Sequence, residues 1–152
     1  MLLTMPETGE PETTYAQRDW ADWVPAGYYV PDFQSRVDEE LDRLGSLPPN
    51  WDCEGAPRID GAIIGAARRF ISQLPEDIAT IPAVVPMAAG NLQFEWNEGA
   101  RSLELEIENP QTIHYLKWSP EERIEEEDFF AIDETDRAVA LIRWFMRGLA
   151  NV

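Results

Sequence analysis

The chain carries few side chains of the kind that enzymes use for catalysis. His114 is the one histidine and Cys53 the one cysteine among 152 residues. A histidine-based metal site needs further nitrogen or sulfur ligands, and the carboxylates of Asp52 and Glu54 beside Cys53 disfavour the thiolate that a reactive cysteine requires. No phosphate-binding loop, dinucleotide fingerprint, G-x-S-x-G or EF-hand pattern occurs. We therefore expect a non-catalytic protein without a cofactor or metal.

Paired carboxylates are the most abundant chemical feature. Glu104 and Glu106 are two residues apart in an alternating stretch, which puts both side chains on one face of a strand, with Glu95 on the strand before. Like charges this close destabilise a sheet, so we expect their repulsion to be offset by another group. The candidates within the chain are Arg101, His114 and Lys117. A divalent ion, as in a metal-dependent enzyme, a basic partner, or solvent alone are the other interpretations.

A second acidic feature lies in residues 119–128, which we interpret as an acidic loop or linker. It ends with the run Glu125, Glu126, Glu127 and Asp128. Phe129 and Phe130 follow directly, and an exposed apolar pair must pack on the core or meet a partner. The segment is therefore either a solvated linker or an acidic and aromatic contact for a basic, apolar groove.

The whole chain is acidic, with 29 Asp and Glu against 12 Lys and Arg and a formal net charge of −17. The excess is present in residues 1–30, 31–80, 81–118 and 119–152 alike. Such a field attracts basic partners and speeds their association by about 10–10³-fold at low salt, although solubility alone also explains it. Direct binding of nucleic acid would need a basic patch, and the sequence shows none.

The sequence also indicates a compartment. A single cysteine fits a reducing environment, no apolar stretch reaches the length of a membrane span, and the N-terminus lacks the pattern of a signal peptide. We expect a cytoplasmic protein without membrane contact.

The elements that position these residues follow from the hydrophobic pattern. Apolar residues recur at helical spacing in three stretches, at 32–45, from 58 or 59 to 74, and at 133–150 with Asp133 or Thr135 as the cap. Residues 82–86 predict a short edge strand because their prolines cannot donate to a ladder. Apolar and polar residues then alternate in three runs, at 92–97, 103–108 and 113–116, which predicts an antiparallel meander with one solvated face.

The predicted fold is α+β. Residues 31–152 form one domain, in which an antiparallel meander of three to four strands is packed on one face by about three helices. Residues 1–30 precede it as a partly disordered segment that is acidic and, in its second half, aromatic. Trp20 and Trp23 there either pack on the domain or act as anchors in a partner.

The loop 50–56 reads Asn-Trp-Asp-Cys-Glu-Gly-Ala. With the helix after it and the Phe94-Glu95-Trp96 strand, it resembles an uncharacterised group of bacterial and phage proteins with an NWDxxGA loop. The resemblance covers about residues 40–118 and implies a shared α+β domain without an established activity. Physically, Asn50 or Asp52 can cap local backbone, Trp51 can fill the gap between helices, and Gly55 can supply a positive φ. A ligand loop is the alternative interpretation.

Together these features favour an acidic protein-binding module, an inhibitor or antitoxin-like neutraliser of a basic partner. A phage-derived mimic of nucleic acid, of the anti-restriction or anti-CRISPR type, is one alternative, and a metal-dependent enzyme is another. A homo-oligomer also stays open, because Trp144 and Met146 flank the apolar face of the last helix and widen it.

Overall fold

A computed structural model describes residues 32–78 and 80–150. The predicted N-terminal segment, with Trp20 and Trp23, lies outside the described residues. The described chain forms three helices and five strands, and their order is α1 (Phe33–Gly45), α2 (Gly61–Ser72), β1 (Ala83–Pro86), β2 (Leu92–Glu98), β3 (Arg101–Asn109), β4 (Thr112–Ser119), β5 (Ile124–Ala131) and α3 (Thr135–Ala150).

The five strands form one antiparallel meander in the order β1-β2-β3-β4-β5. The predicted α+β class, the meander of β2 to β4 and the edge position of β1 are confirmed. The number of strands differs, since the sheet has five rather than three or four. The fifth strand, β5, lies in an acidic segment in which apolar and polar residues do not alternate regularly.

The prediction of an acidic loop or linker at 119–128 is wrong. Pro120–Arg123 forms a tight turn, in which the Arg123 N–H donates to the carbonyl of Pro120 over 3.2 Å, and β5 follows directly. Ile124 pairs with Ser119 and Phe130 with Ile113 along an unbroken register. Glu and Asp are poor strand formers, so local propensity argues against this strand, and pairing with β4 overrides it.

The core lies between one face of the sheet and the helices. The strands bury alternate residues there, among them Phe94, Leu105 and Ile113, which are all completely buried. Each helix contributes its apolar stripe to the same core: Val37, Leu41 and Leu44 from α1, Ile63, Ala67 and Phe70 from α2, and Ala138, Ile142 and Phe145 from α3. All three helices pack on this one face of the sheet. The other face is therefore not covered by any described helix.

A carboxylate caps the start of helix α1 and of helix α2. The Asp32 carboxylate accepts from the Ser35 N–H at the start of α1, and Asp60 accepts from the Ala62 N–H at the start of α2. Helix α2 therefore begins two to three residues later than the pattern predicts. The reason is tertiary, because the Asp60 N–H donates to the carbonyl of Gly90 in the turn before β2. None of the described helices is long and apolar enough to cross a membrane.

Candidate binding surface on the open face of the sheet

The face of the sheet that carries no described helix, here called the open face, is defined by the strand register. Directly opposite residues of neighbouring strands share a face. One row across the sheet is therefore Ala83, Glu95, Glu104, Leu116 and Glu127, and the next is Val85, Gln93, Glu106, His114 and Phe129. The register thus brings the three sequence-predicted carboxylates, from β2 and β3, into one cluster.

This cluster carries an electrostatic cost. Partial burial, together with the nearby carboxylates of Glu95 and Glu106, raises the pKa of Glu104 above its usual value, and His114 opposes that shift only in part. The two flanking carboxylates are held by amides. Gln93 Nε2 donates to Glu95 over 2.8 Å, and Asn91 Nδ2 donates to Glu106 over 2.5 Å. Neutral donors fix the positions of these charges without cancelling them.

His114 is the cation candidate that lies on the open face. Its Nδ1 is 3.5 Å from a Glu106 oxygen, and its Nε2 is 3.3 Å from a Glu127 oxygen. The imidazole thereby links the carboxylate cluster to β5. Its ring also packs against the ring of Phe129, with 4.6 Å between the centroids.

The other two cation candidates lie on the helix side of the sheet. The Arg101 guanidinium donates to Glu122 and to the carbonyl of Trp144. Lys117 Nζ is 3.3 Å from Glu126 and 4.9 Å from the centroid of the Trp144 ring. Neither side chain therefore compensates for the negative charge of Glu104.

Apolar side chains adjoin the carboxylates on the open face. Trp118 is 45% exposed and Phe129 is 50% exposed, and Leu116 between them is half-buried. Trp118 and Leu116 are not among the surface residues predicted from the sequence. Their even spacing from His114 was the available signal, because it places all three on one face of β4.

The structure divides the acidic run of β5 between the two faces. Glu125 and Glu127 lie on the open face, opposite Trp118 and Leu116. Glu126 and Asp128 lie on the helix side, where Lys117 and Arg137 are their ionic partners, at 3.3 and 3.9 Å. The run is therefore two pairs of charges on opposite surfaces.

The predicted contact through a Phe129-Phe130 pair is corrected in the same way. Consecutive strand residues point to opposite faces, so Phe129 is on the open face while Phe130 is only 4% exposed and packs on Tyr115. Phe130 is a core residue, and of this pair only Phe129 is accessible.

The loop 50–56 is held by its own polar side chains. Asn50 Oδ1 accepts from the Gly55 N–H over 2.6 Å, and Asp52 Oδ1 accepts from the N–H groups of Glu54 and Ala56. The latter two bonds hold the pKa of Asp52 below its usual value. Trp51 Nε1 donates to the carbonyl of Pro57 over 2.9 Å, and its ring packs against the core. Gly55 has a φ of 91°. These contacts favour the architectural interpretation of the loop.

Within the described residues, no group of three or more His, Cys, Asp or Glu side chains is arranged to hold a metal ion. Cys53 is exposed, at a φ of 65° in the same loop. The open face is thus the described surface that brings together six of the predicted site residues, namely Glu95, Glu104, Glu106, Glu125, Glu127 and Phe129.

No protein-family model, curated protein or solved structure matches this chain. The resemblance of the 50–56 loop therefore stays a prediction.

Proposed function

We propose that this protein binds a basic protein through the open face of its sheet and thereby neutralises or inhibits that partner. The observation that carries the proposal is the cluster of Glu95, Glu104 and Glu106 on a face without a described helix. Like charges in one cluster oppose folding. A binding surface is a setting in which such a cost is retained, because a partner's cations relieve it on association.

The apolar part of the open face supports the same function. Charge complementarity mainly speeds encounter and selects the partner, whereas affinity comes from a few buried aromatic anchors. Trp118 and Phe129 lie beside the carboxylates with about half of their surfaces exposed. A partner with both cations and an apolar patch would use the two parts together.

The experiment compares three forms of the protein as affinity baits in an extract of the source cell. One is unchanged, one carries Glu95→Gln, Glu104→Gln and Glu106→Gln, and the matched control carries Glu39→Gln, Glu54→Gln and Glu76→Gln. The control residues are exposed and have no ion pair with a described residue. Both variants lose three negative charges, so net charge alone cannot separate them.

We expect a basic protein to be retained by the unchanged bait and by the control, to be lost with the open-face variant, and to elute as salt rises. Equal retention by all three baits would contradict the proposal. Retention of a DNA-binding protein that DNA displaces from the bait would identify mimicry of nucleic acid as the form that the inhibition takes.

A further inference from the structure

Strand β5 is an edge of the sheet that the described residues form, and its N–H and C=O groups alternate between the side of β4 and the outer side. The Phe129 N–H donates to its neighbour's carboxylate, Asp128 Oδ1, and the Ala131 N–H donates to Glu134 Oε1. Both groups therefore point away from β4. Backbone groups alternate along a strand of an antiparallel pair, so the N–H and C=O groups of Glu125 and Glu127 point outward as well, while those of Glu126 face β4.

The outward backbone groups of β5 have side-chain or backbone partners near its C-terminal end, at residues 129 and 131, but not at Glu125 and Glu127 among the described residues. Asp128 and Glu134 use their side chains to satisfy the outward N–H groups at 129 and 131, and the carbonyl of Ala131 accepts from the Glu134 N–H over 2.9 Å. No described strand lies beyond β5. The receptive stretch is therefore the pair Glu125 and Glu127, which offers two donors and two acceptors to another strand.

We propose that an extended, basic segment of the partner protein pairs with β5 at Glu125 and Glu127 and adds a sixth strand to the sheet. The inference rests on the proposed function in taking the partner to be basic. It goes beyond that function by naming a mode of binding in which main-chain hydrogen bonds join the two proteins.

The charges of β5 determine which kind of strand can pair with its outer side. A lysine or arginine directly opposite Glu125, and another opposite Glu127, would lie on the open face beside Trp118 and Leu116. A second copy of β5 would instead place carboxylate against carboxylate, which destabilises the pairing. The segment 1–30 is also a poor candidate, because it contains five acidic residues and one basic residue.

One experiment tests the polarity of the edge. Glu127→Pro and Glu127→Gln both remove a carboxylate, but only proline removes the outward N–H, and edge strands tolerate proline where its nitrogen faces away from the ladder. We expect both variants to unfold cooperatively. Glu126→Pro removes an N–H that bonds to β4, so it should lose cooperative unfolding. If Glu126→Pro folds as well as Glu127→Pro, the assignment of the outward edge is wrong.

A second experiment tests the pairing itself on the full chain. The probe is a synthetic octapeptide that alternates lysine with valine, and the control peptide carries a methyl group on the backbone nitrogen of every lysine. Both peptides have the same charge, but the control cannot pair with lysine opposite glutamate. Hydrogen exchange at the Glu125 and Glu127 amides, followed by NMR at saturating peptide, should slow about tenfold with the probe and stay unchanged with the control.

Glu127→Pro should abolish the protection at Glu125, whereas Glu127→Gln, which loses the carboxylate but keeps the outward N–H, should only weaken it. No protection by the probe, or equal protection by both peptides, would overturn the proposal. Amides that are already protected in the free chain would also overturn it, because a second copy or the chain's own N-terminal segment would then hold the edge.

The outcomes separate this inference from the proposed function. If the probe protects β5 while the open-face glutamine variant retains the same cellular protein as the unchanged bait, the proposed function fails and the edge pairing stands. If the probe leaves β5 unprotected while the open-face variant loses its partner, the edge pairing fails and the proposed function stands.

Discussion

Glu104 of β3 lies directly opposite Glu95 of β2, so two carboxylates face each other across one antiparallel pair on the open face. Partial burial, followed by the nearby carboxylates of Glu95 and Glu106, raises the pKa of Glu104. A folded-state pKa above the unfolded value means that the native state binds the proton more tightly. The resulting stability is present at low pH and is lost as pH rises from the unfolded value through the raised folded one.

Glu104→Gln should therefore stabilise the protein at neutral pH. A like-charged pair directly opposite costs up to about 1 kcal/mol, and the midpoint of urea unfolding at pH 7 should rise accordingly. Near pH 4, where Glu104 is protonated in the folded protein, the two midpoints should converge. Glu39→Gln on the exposed side of α1 is the control and should change stability by less than about 0.5 kcal/mol. A lower midpoint for Glu104→Gln would show that the pair is not repulsive.

Asp52 should have the opposite pH dependence. Its pKa is lowered by the N–H groups of Ala56 and Glu54, which donate to the ionised carboxylate. That stability is present above the unfolded value of 3.8 and is lost as pH falls below it through the lowered folded pKa. Asp52→Asn keeps an acceptor oxygen but has no charge to titrate, so its unfolding midpoint should fall less steeply below pH 4.

The control for this prediction is Glu54→Gln, whose side chain has no hydrogen bond to a described residue. Its unfolding midpoint should fall below pH 4 as steeply as that of the unchanged protein. Equal slopes for Asp52→Asn and the unchanged protein would mean that the loop bonds do not depend on the ionised form of Asp52.

Gly148 makes room for Arg101. A Cβ added at Gly148 would lie 2.5 Å from Arg101 Cδ, and the guanidinium beyond that carbon is fixed by Glu122 and by the Trp144 ring at 4.7 Å. Gly148→Ala should therefore destabilise the protein by about 1–3 kcal/mol, as overpacking does. Thermal unfolding measures the change.

Gly61 is the matched control, because a Cβ there meets nothing within 4 Å. Gly61→Ala should leave stability unchanged or raise it by about 0.4–1 kcal/mol, since it restricts the unfolded chain. If both glycines accept alanine equally well, Arg101 moves freely and does not tie α3 to β3.

Replacement by alanine should cost much more stability at Trp51 than at Trp118. Trp51 packs on the core and donates to the carbonyl of Pro57, so Trp51→Ala should cost about 2–4 kcal/mol of unfolding free energy. Trp118 is 45% exposed, and Trp118→Ala should change stability by less than about 0.5 kcal/mol. Urea unfolding measures both effects.

The same two variants distinguish a structural role from a role in binding. Trp118→Ala should lower affinity for the retained partner by about 2 kcal/mol or more, as an aromatic anchor does. A Trp51→Ala variant that keeps its stability and loses the partner instead would make the 50–56 loop a ligand loop.

The amino-acid sequence by itself determined the helix α1, the edge strand β1 and the meander of β2 to β4. In α1 and in β2 to β4 the repeat of apolar residues matches the geometry of the element and shows which side is buried. In β1 the prolines indicate the edge position. It also determined that Glu104 and Glu106 share a face, because residues two apart in a strand always do.

Only the tertiary structure decided the rest of the surface. Residues 124–131 become a strand because Ile124 and Phe130 reach the core beside β4, and no local preference of glutamate indicates that. Strand register then determined that His114 of β4, rather than Lys117, shares a face with the carboxylates of β3. The physical reason is that register depends on contacts between segments far apart in sequence, whereas periodicity within one segment shows only which of its residues share a face.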